Sequence, residues 1–364
     1  MQNNATPFAP DLREITASES GPRFEGTLKG AFSSWGTSFT PPAGYFKHVQ
    51  LAQASRFYAE NGFIVLEDGL GEDEVDALND ETAQICRGKR GNIAYRSGLP
   101  GIISVAPEMT DIEVMKQYLC IHFPHKVSQK MYVALAHPSI VSVLTRVIGA
   151  NVKCMQSMLF IKASGKPGQA WHQDEFFIPT RDRSLTGAWI AMDDATIENG
   201  CLWVIPGSHK LGILWPQRTH HDRRFDCTGE AIFPYSPADE VPVEVKKGSI
   251  VFFNGYLLHR SLPNYAKSGF RRSLVNHYMS AESFLPWMLP RPNERAMGTL
   301  DYRDIVMVAG KDPYAYKGIE DRAQPHLRPS GEGGCGDPKL NVAQSNLNNQ
   351  SVSAVMSVDD EDDH

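Results

Sequence analysis

After Gly149 the chain changes character. The runs VKCMQSMLFIK, GAWIAMDD, CLWVIPGS, VPVEV, SIVFFNG and RRSLVNHYM follow one another, short and apolar, with turn-rich stretches between them. Strands of that length cannot bury their faces alone, so they must pack together as a sandwich or barrel. The part before Gly149 reads differently. From His48 the run HVQLAQASRFYAENG has helical apolar spacing and ends at an Asn-Gly stop. FIVLEDG reads as a short strand, Glu72 to Arg87 as a second helix, and two more helical stretches lie near 127–136 and 138–148. The pattern predicts a mainly β fold with flanking helices.

Three regions follow from composition. Residues 1–45 are rich in Pro, Gly, Ser and Thr and read as an extended arm. Residues 46–328 form the folded domain, with its barrel core at about 150–285. Residues 329–364 have no apolar period and end DDEDDH, so they are expected to form a disordered acidic tail. His326 and His364 lie beside or within it and are not metal candidates. A long loop over 88–112 is expected to border the site. The segment 207–240 is too long for a tight turn and reads as an insertion over the barrel mouth. Its cluster of His220, His221, Arg223 and Arg224 reads first as a solvated loop, and alternatively as a contact for an anionic substrate group.

The 364 residues carry a net charge of -6, which gives no case for nucleic-acid binding. No apolar run approaches a membrane span, and the polar N-terminus lacks the basic start and apolar stretch of a secretory signal. Six cysteines lie scattered at 86, 120, 154, 201, 227 and 335, with no zinc-ribbon spacing. They read as reduced thiols, and the chain as cytoplasmic. There is no GxSxG elbow, P-loop or HExxH motif.

The chemistry is concentrated in WHQDEFF, residues 171–177. On a strand, His172 and Asp174 point to one face, and Gln173 to the other. A distant His259, in VFFNGYLLHRS, is expected on a facing strand to complete a three-ligand set. Two imidazoles and one carboxylate leave open positions on a metal, the set typical of non-haem Fe(II) oxygenases. Trp171, Phe176 and Phe177 supply apolar shelter around it.

From Lys153 to Tyr278 the chain resembles the phytanoyl-CoA dioxygenase family of Fe(II)/2-oxoglutarate oxygenases. The resemblance rests on MQSMLFIK (155–162), WHQD (171–174), GAWIAMDDATIENGCLWVIPGSHK (187–210), HRSLPN (259–264) and GFRRSLVNHY (269–278). It implies a double-stranded β-helix, a cupin-like jelly-roll barrel. It implies Fe(II) held by His172, Asp174 and His259, with 2-oxoglutarate and O2 as co-substrates. Arg271 would then pair with the distal carboxylate of 2-oxoglutarate, helped by Ser261, with Met158 and Trp189 lining the pocket. The His259-to-Arg271 spacing is one residue longer than the family pattern, which leaves Arg271 and Arg272 as alternatives, since only one can face inward. The implied reaction oxidises an unactivated C–H bond of a small molecule, most simply by hydroxylation, with release of succinate and CO2.

Two other classes fit the triad less well. A cupin-like hydrolase or isomerase without 2-oxoglutarate would leave Arg271 and Ser261 without a reason. A non-catalytic ligand-binding barrel would leave the triad itself without one.

Overall fold

The alternation of apolar residues along the strands builds four layers. In the computed structural model the described residues are 44–91, 93–95, 105–226, 229–283, 305–319 and 324–329. The expected arm and tail lie almost wholly outside them, as do residues 92 and 96–104 of the 88–112 loop. The strands are β1 (Tyr45–Phe46), β2 (Phe63–Leu66), β3 (Ala94–Tyr95), β4 (Tyr118–His122), β5 (Val152–Ala163), β6 (Gln169–His172), β7 (Thr186–Ala191) and β8 (Leu202–Val204). They continue as β9 (Gln217–Arg218), β10 (Glu230–Ala231), β11 (Val241–Val243), β12 (Ile250–Asn254), β13 (His259–Ser261), β14 (Phe270–Ser280), β15 (Val306–Ala309) and β16 (His326–Pro329). The helices are α1 (Leu51–Asn61), α2 (Glu72–Cys86), α3 (Asp111–Met115), α4 (Gln129–Leu135), α5 (Pro138–Val147) and α6 (Asp174–Phe177).

Among the described residues the larger sheet runs β1-β2-β12-β7-β14-β5-β4-β16-β3, with β15 also on β5. The smaller sheet runs β11-β8-β13-β6 and faces it. No described strand pairs one sheet with the other, so the jelly roll is two opposed sheets rather than a closed barrel. Inward residues of the larger sheet, such as Phe63, Val65, Trp189, Phe253 and Val275, meet Leu202, Val204 and Val243 of the smaller one. The alternate residues Ile64, Leu66, Ile190, Phe252 and Leu274 point outward and pack under α1, α2, α4 and α5. Both faces of the central strands are therefore covered, which is why their sequences are almost continuously apolar. Gly62 closes α1 in the left-handed conformation (φ 81°), the stop expected from the Asn-Gly pair.

Three expectations change. The strand Tyr118–His122 and the C-terminal strand β16 were not marked by the sequence pattern. Pro329, where the tail was expected to begin, is the last residue of β16. Among the described residues the insertion reaches the cavity wall only through Asp226, and much of the rest packs elsewhere. Its Trp215, Phe233 and Tyr235 pack with Trp171, Ile205 and Leu258 on the outer face of the smaller sheet. Arg224 of the insertion pairs with Asp222 in its own loop, at 2.6 Å.

Gln173 ties the insertion down. Its Nε2 donates to the carbonyls of Ile213 and Tyr256, both at 2.8 Å, and its Oε1 accepts from the Trp215 N–H at 2.9 Å. Gln173→Leu strands three backbone groups, two buried and one part-buried, so it should lower unfolding free energy by about 3–5 kcal/mol. Urea denaturation measures this, and proteolysis within 213–235 should accelerate in the same variant. A loss below about 1 kcal/mol would mean that apolar packing alone holds the insertion.

Candidate metal centre

Pairing of β6 with β13 places His259 directly opposite His172. The two histidines are thus neighbours in one sheet, not on facing strands. Their ring centroids are 4.1 Å apart. Each Nδ1 lies against the carbonyl two residues earlier, Ala170 at 2.8 Å for His172 and Leu257 at 3.0 Å for His259. A carbonyl only accepts, so each Nδ1 carries the hydrogen and each Nε2 keeps its lone pair. Both lone pairs face Asp174 Oδ1, at 3.6 Å from His172 Nε2 and 3.7 Å from His259 Nε2.

Asp174 arrives differently from the expectation of a continuous strand. β6 ends at His172, Gln173 is extended, and Asp174 opens the single turn α6. The turn still delivers its carboxylate to the two imidazoles, and the three donor atoms lie within 4.8 Å of one another. The measured gaps are slightly wider than the roughly 3 Å between neighbouring donors that each bind a metal at about 2.1 Å. Small side-chain shifts close that difference. The donor set therefore fits a divalent metal with open positions.

A fourth imidazole joins the group. His277 of β14 approaches Asp174 Oδ2 through Nε2 at 2.9 Å. It pins one carboxylate oxygen and leaves the other to the histidine pair. Sequence reasoning missed His277, yet it has the same strand parity as Arg271, and that is the signal that could have found it. Burial alone would push the Asp174 carboxyl up. The nearby His259, His277 and His172 outweigh burial and hold it well below the usual carboxylate range. Burial, reinforced by His172, brings His259 down to about 4, so it is neutral and a competent ligand at pH 7.

These groups sit in a cavity of about 440 Å³ between the sheets, which Met158, Trp189, Ser261 and Arg271 also line. Strand parity separates the two arginines. Arg272 turns outward and clasps Asp193 with two hydrogen bonds of 2.9 and 2.7 Å. Arg271 turns inward and is only 3% exposed, with Nη1 on Ser273 Oγ at 2.9 Å and the guanidinium over the Trp189 ring at 5.4 Å. Its buried Nε has no hydrogen-bond partner among the described residues. Burial lowers its pKa to about 10, so it remains a cation at neutral pH. A buried cation with an unmatched donor fits a carboxylate ligand, as 2-oxoglutarate would supply. Lys162 and His326, both absent from the sequence-based site, line the same cavity.

The sequence profile of the phytanoyl-CoA dioxygenase (PhyH) family matches residues 58–273. Phytanoyl-CoA dioxygenase 1 of Oryza sativa subsp. japonica is 31% identical over 272 residues, which span 66% of this chain and 92% of the relative. The peroxisomal phytanoyl-CoA dioxygenase of Rattus norvegicus is 29% identical over 241 residues, 65% of this chain and 70% of the relative. Among solved structures, the apo form of ThoJ, a non-heme monooxygenase, aligns with a TM-score of 0.53 at 18% identity, covering 82% of this chain and 99% of that one. The epimerase SnoN, in complex with Fe3+, alpha ketoglutarate and nogalamycin RO, aligns with a TM-score of 0.50 at 18% identity, covering 79% and 97%. At that identity the two structures speak for the fold. Among the described residues no helix is long and apolar enough to cross a membrane.

The depressed His259 pKa has a consequence for the metal-free protein. The unfolded chain takes up a proton near 6.5 and the folded chain only near 4, so stability falls as pH drops through that window. The full effect is about 3 kcal/mol. Asp174 does not contribute there, because a depressed carboxyl loses its stabilising effect only at more acid pH. Denaturation midpoints of the metal-free chain at pH 7 and pH 4.5 should therefore separate more in wild type than in His259→Gln. Equal separations would show that His259 is not buried neutral.

Proposed function

The chain belongs to the phytanoyl-CoA dioxygenase family, and on that premise we propose a reaction and a set of residue roles for it. As a family member it is a non-haem Fe(II)- and 2-oxoglutarate-dependent dioxygenase. The reaction is hydroxylation of an unactivated C–H bond in a small molecule, with succinate and CO2 released. His172, Asp174 and His259 hold the metal. The observation that carries this reading is the convergence of two Nε2 lone pairs on one Asp174 oxygen, each freed by an Nδ1 bond to a carbonyl.

Bound Fe(II) with 2-oxoglutarate would supply O2 activation and the oxidant. The chain's own groups orient and shelter. Arg271 anchors the distal carboxylate of 2-oxoglutarate, and Ser261 donates to it. Trp189 and Met158 wall the co-substrate. Asp174 fills the ligand position that a halide would need, which favours hydroxylation over halogenation. A hydrolase or isomerase working without 2-oxoglutarate would leave the unmatched Arg271 Nε unexplained.

Asp174→Ala should abolish substrate-coupled succinate formation and the gain of one oxygen atom seen by mass spectrometry. Arg271→Ala removes a buried partner of the carboxylate and should weaken 2-oxoglutarate binding by about 3–5 kcal/mol, read as a rise in its KM. Arg272→Ala, which breaks only the outward Asp193 pair, should change that KM little. Reversed effects of the two arginine variants, or wild-type turnover in Asp174→Ala, would overturn these roles.

A further inference from the structure

Lys162 lies beside Arg271, and the two are partners in the β5–β14 ladder. Both side chains are buried and both line the cavity. Burial, and then the neighbouring Arg271, pull the Lys162 pKa well below the usual lysine range. Two cations so close and so dry are costly unless an anion joins them. Among the described lining residues the acids are Asp174 and Asp226. Asp174 is engaged by three imidazoles, and Asp226 offsets less of the Lys162 penalty than burial and Arg271 impose.

The hydrogen bonds around Lys162 say how it acts. Nζ donates to Leu262 O at 2.7 Å, to Ser261 Oγ at 3.0 Å and, at 3.4 Å, to Gly200 O. An ammonium has three donors, so all are committed to the protein. Ser261 Oγ also accepts from the Gln169 N–H at 3.3 Å. A hydroxyl accepts two hydrogen bonds, and here both places are filled, so its own hydrogen must be donated elsewhere. Ser261 lines the cavity with Arg271. The cradle also explains the ENG turn. Gly200 has φ 85°, and a Cβ there would stand 2.3 Å from Leu262 O and 3.0 Å from Lys162 Nζ. Only glycine lets that turn close on the ammonium.

We propose that Lys162 is a positioning residue for the co-substrate: it fixes Ser261 as a hydrogen-bond donor into the cavity and adds a second positive charge beside Arg271, so that the site selects an oxo acid with a distal carboxylate. This rests on the reading of the cavity as a 2-oxoglutarate site. Lys162 does not touch the ligand. It acts through Ser261 and through its field.

The test compares two oxo acids with the same chelating head, 2-oxoglutarate and 2-oxohexanoate, whose distal end is uncharged. Each is titrated into the full-length Fe(II)-loaded protein without oxygen, by calorimetry and by the visible absorbance of the iron chelate. Wild type should prefer 2-oxoglutarate. In Lys162→Met, 2-oxoglutarate binding should weaken by about tenfold or more, and 2-oxohexanoate binding by less than about twofold. Ser261→Ala should show the same selectivity, and the double variant should lose little beyond Lys162→Met alone. If Lys162→Met has no cooperative melting transition, Lys162→Gln, which keeps donors without charge, carries the comparison. A merely structural lysine would weaken both acids in proportion, and that result, or no change for either, overturns the proposal. Failure of wild type to bind either acid with Fe(II) would instead sink the 2-oxoglutarate reading itself.

Discussion

The ladder between β5 and β14 is the constraint on which the rest of the site depends. It pairs residues from Val152 to Ala163 with residues from Phe270 to Ser280. Side chains alternate along it, so Arg271, Ser273, Val275 and His277 share one parity, and Arg271, Val275 and His277 line the cavity. Met158 and Lys162 of β5 line it too. One ladder thus supplies both ends of the cavity: a cationic end at Lys162 and Arg271, and an imidazole at His277 on the Asp174 carboxylate. A slip of one residue would bring Arg272 inward and carry Arg271 out to Asp193. Apolar partners on both faces make that slip prohibitive, because Leu274 and Val275 would exchange the helical layer for the cavity.

The smaller sheet supplies what the larger one cannot. β6 and β13 carry the two histidines in direct register, and the backbone carbonyls of Ala170 and Leu257 set their tautomers. The donor atoms are therefore arranged by main-chain geometry before any metal arrives, which lowers the reorganisation that binding requires. Charge is divided across the cavity in the same spirit. The imidazole of His259 is kept neutral by burial, His277 Nε2 bonds the Asp174 carboxylate, and the cations stand at the other end. A dianionic ligand reaching from the imidazole end to Arg271 would be complementary to that division.

Legibility in the sequence followed distance along the chain. The layers were readable because alternation is local: FIVL, GAWIA and IVFFN announce two-sided burial by themselves. His172, Asp174, His259 and Arg271 were readable because each sits in a distinctive run. His172 and Asp174 do not share one continuous strand, however, since the chain leaves β6 at Gln173 and Asp174 reaches the histidines from a helical turn. What escaped depends on pairings between distant segments. Lys162 meets Ser261 across 99 residues, and His277 meets Asp174 across 103. His326 enters the cavity wall because β16 adds to β4, beyond the motifs that mark the barrel. A lysine ending MQSMLFIK and a histidine in LVNHY look like ordinary strand residues until the ladder gives them neighbours.

Gln173 shows how closely metal geometry and outer packing are coupled. It stands between two residues of the triad, and its side chain points away from them into the insertion, where it bonds Ile213, Tyr256 and Trp215. Trp171, on the other side of His172, packs beneath Phe233 and Tyr235 of that insertion. Alternate residues of one short run thus face opposite ways, His172 and Asp174 toward the cavity and Trp171 and Gln173 toward the covering layer. The insertion therefore packs against WHQD from outside the cavity, while its Asp226 also reaches the cavity wall. The Gln173 amide bonds the insertion at the residue between the end of β6 and the α6 turn that carries the Asp174 carboxylate. Polar bonds suit this task better than apolar packing, because they specify one register of the turn, whereas packing of Trp171 alone would tolerate a shift along the strand.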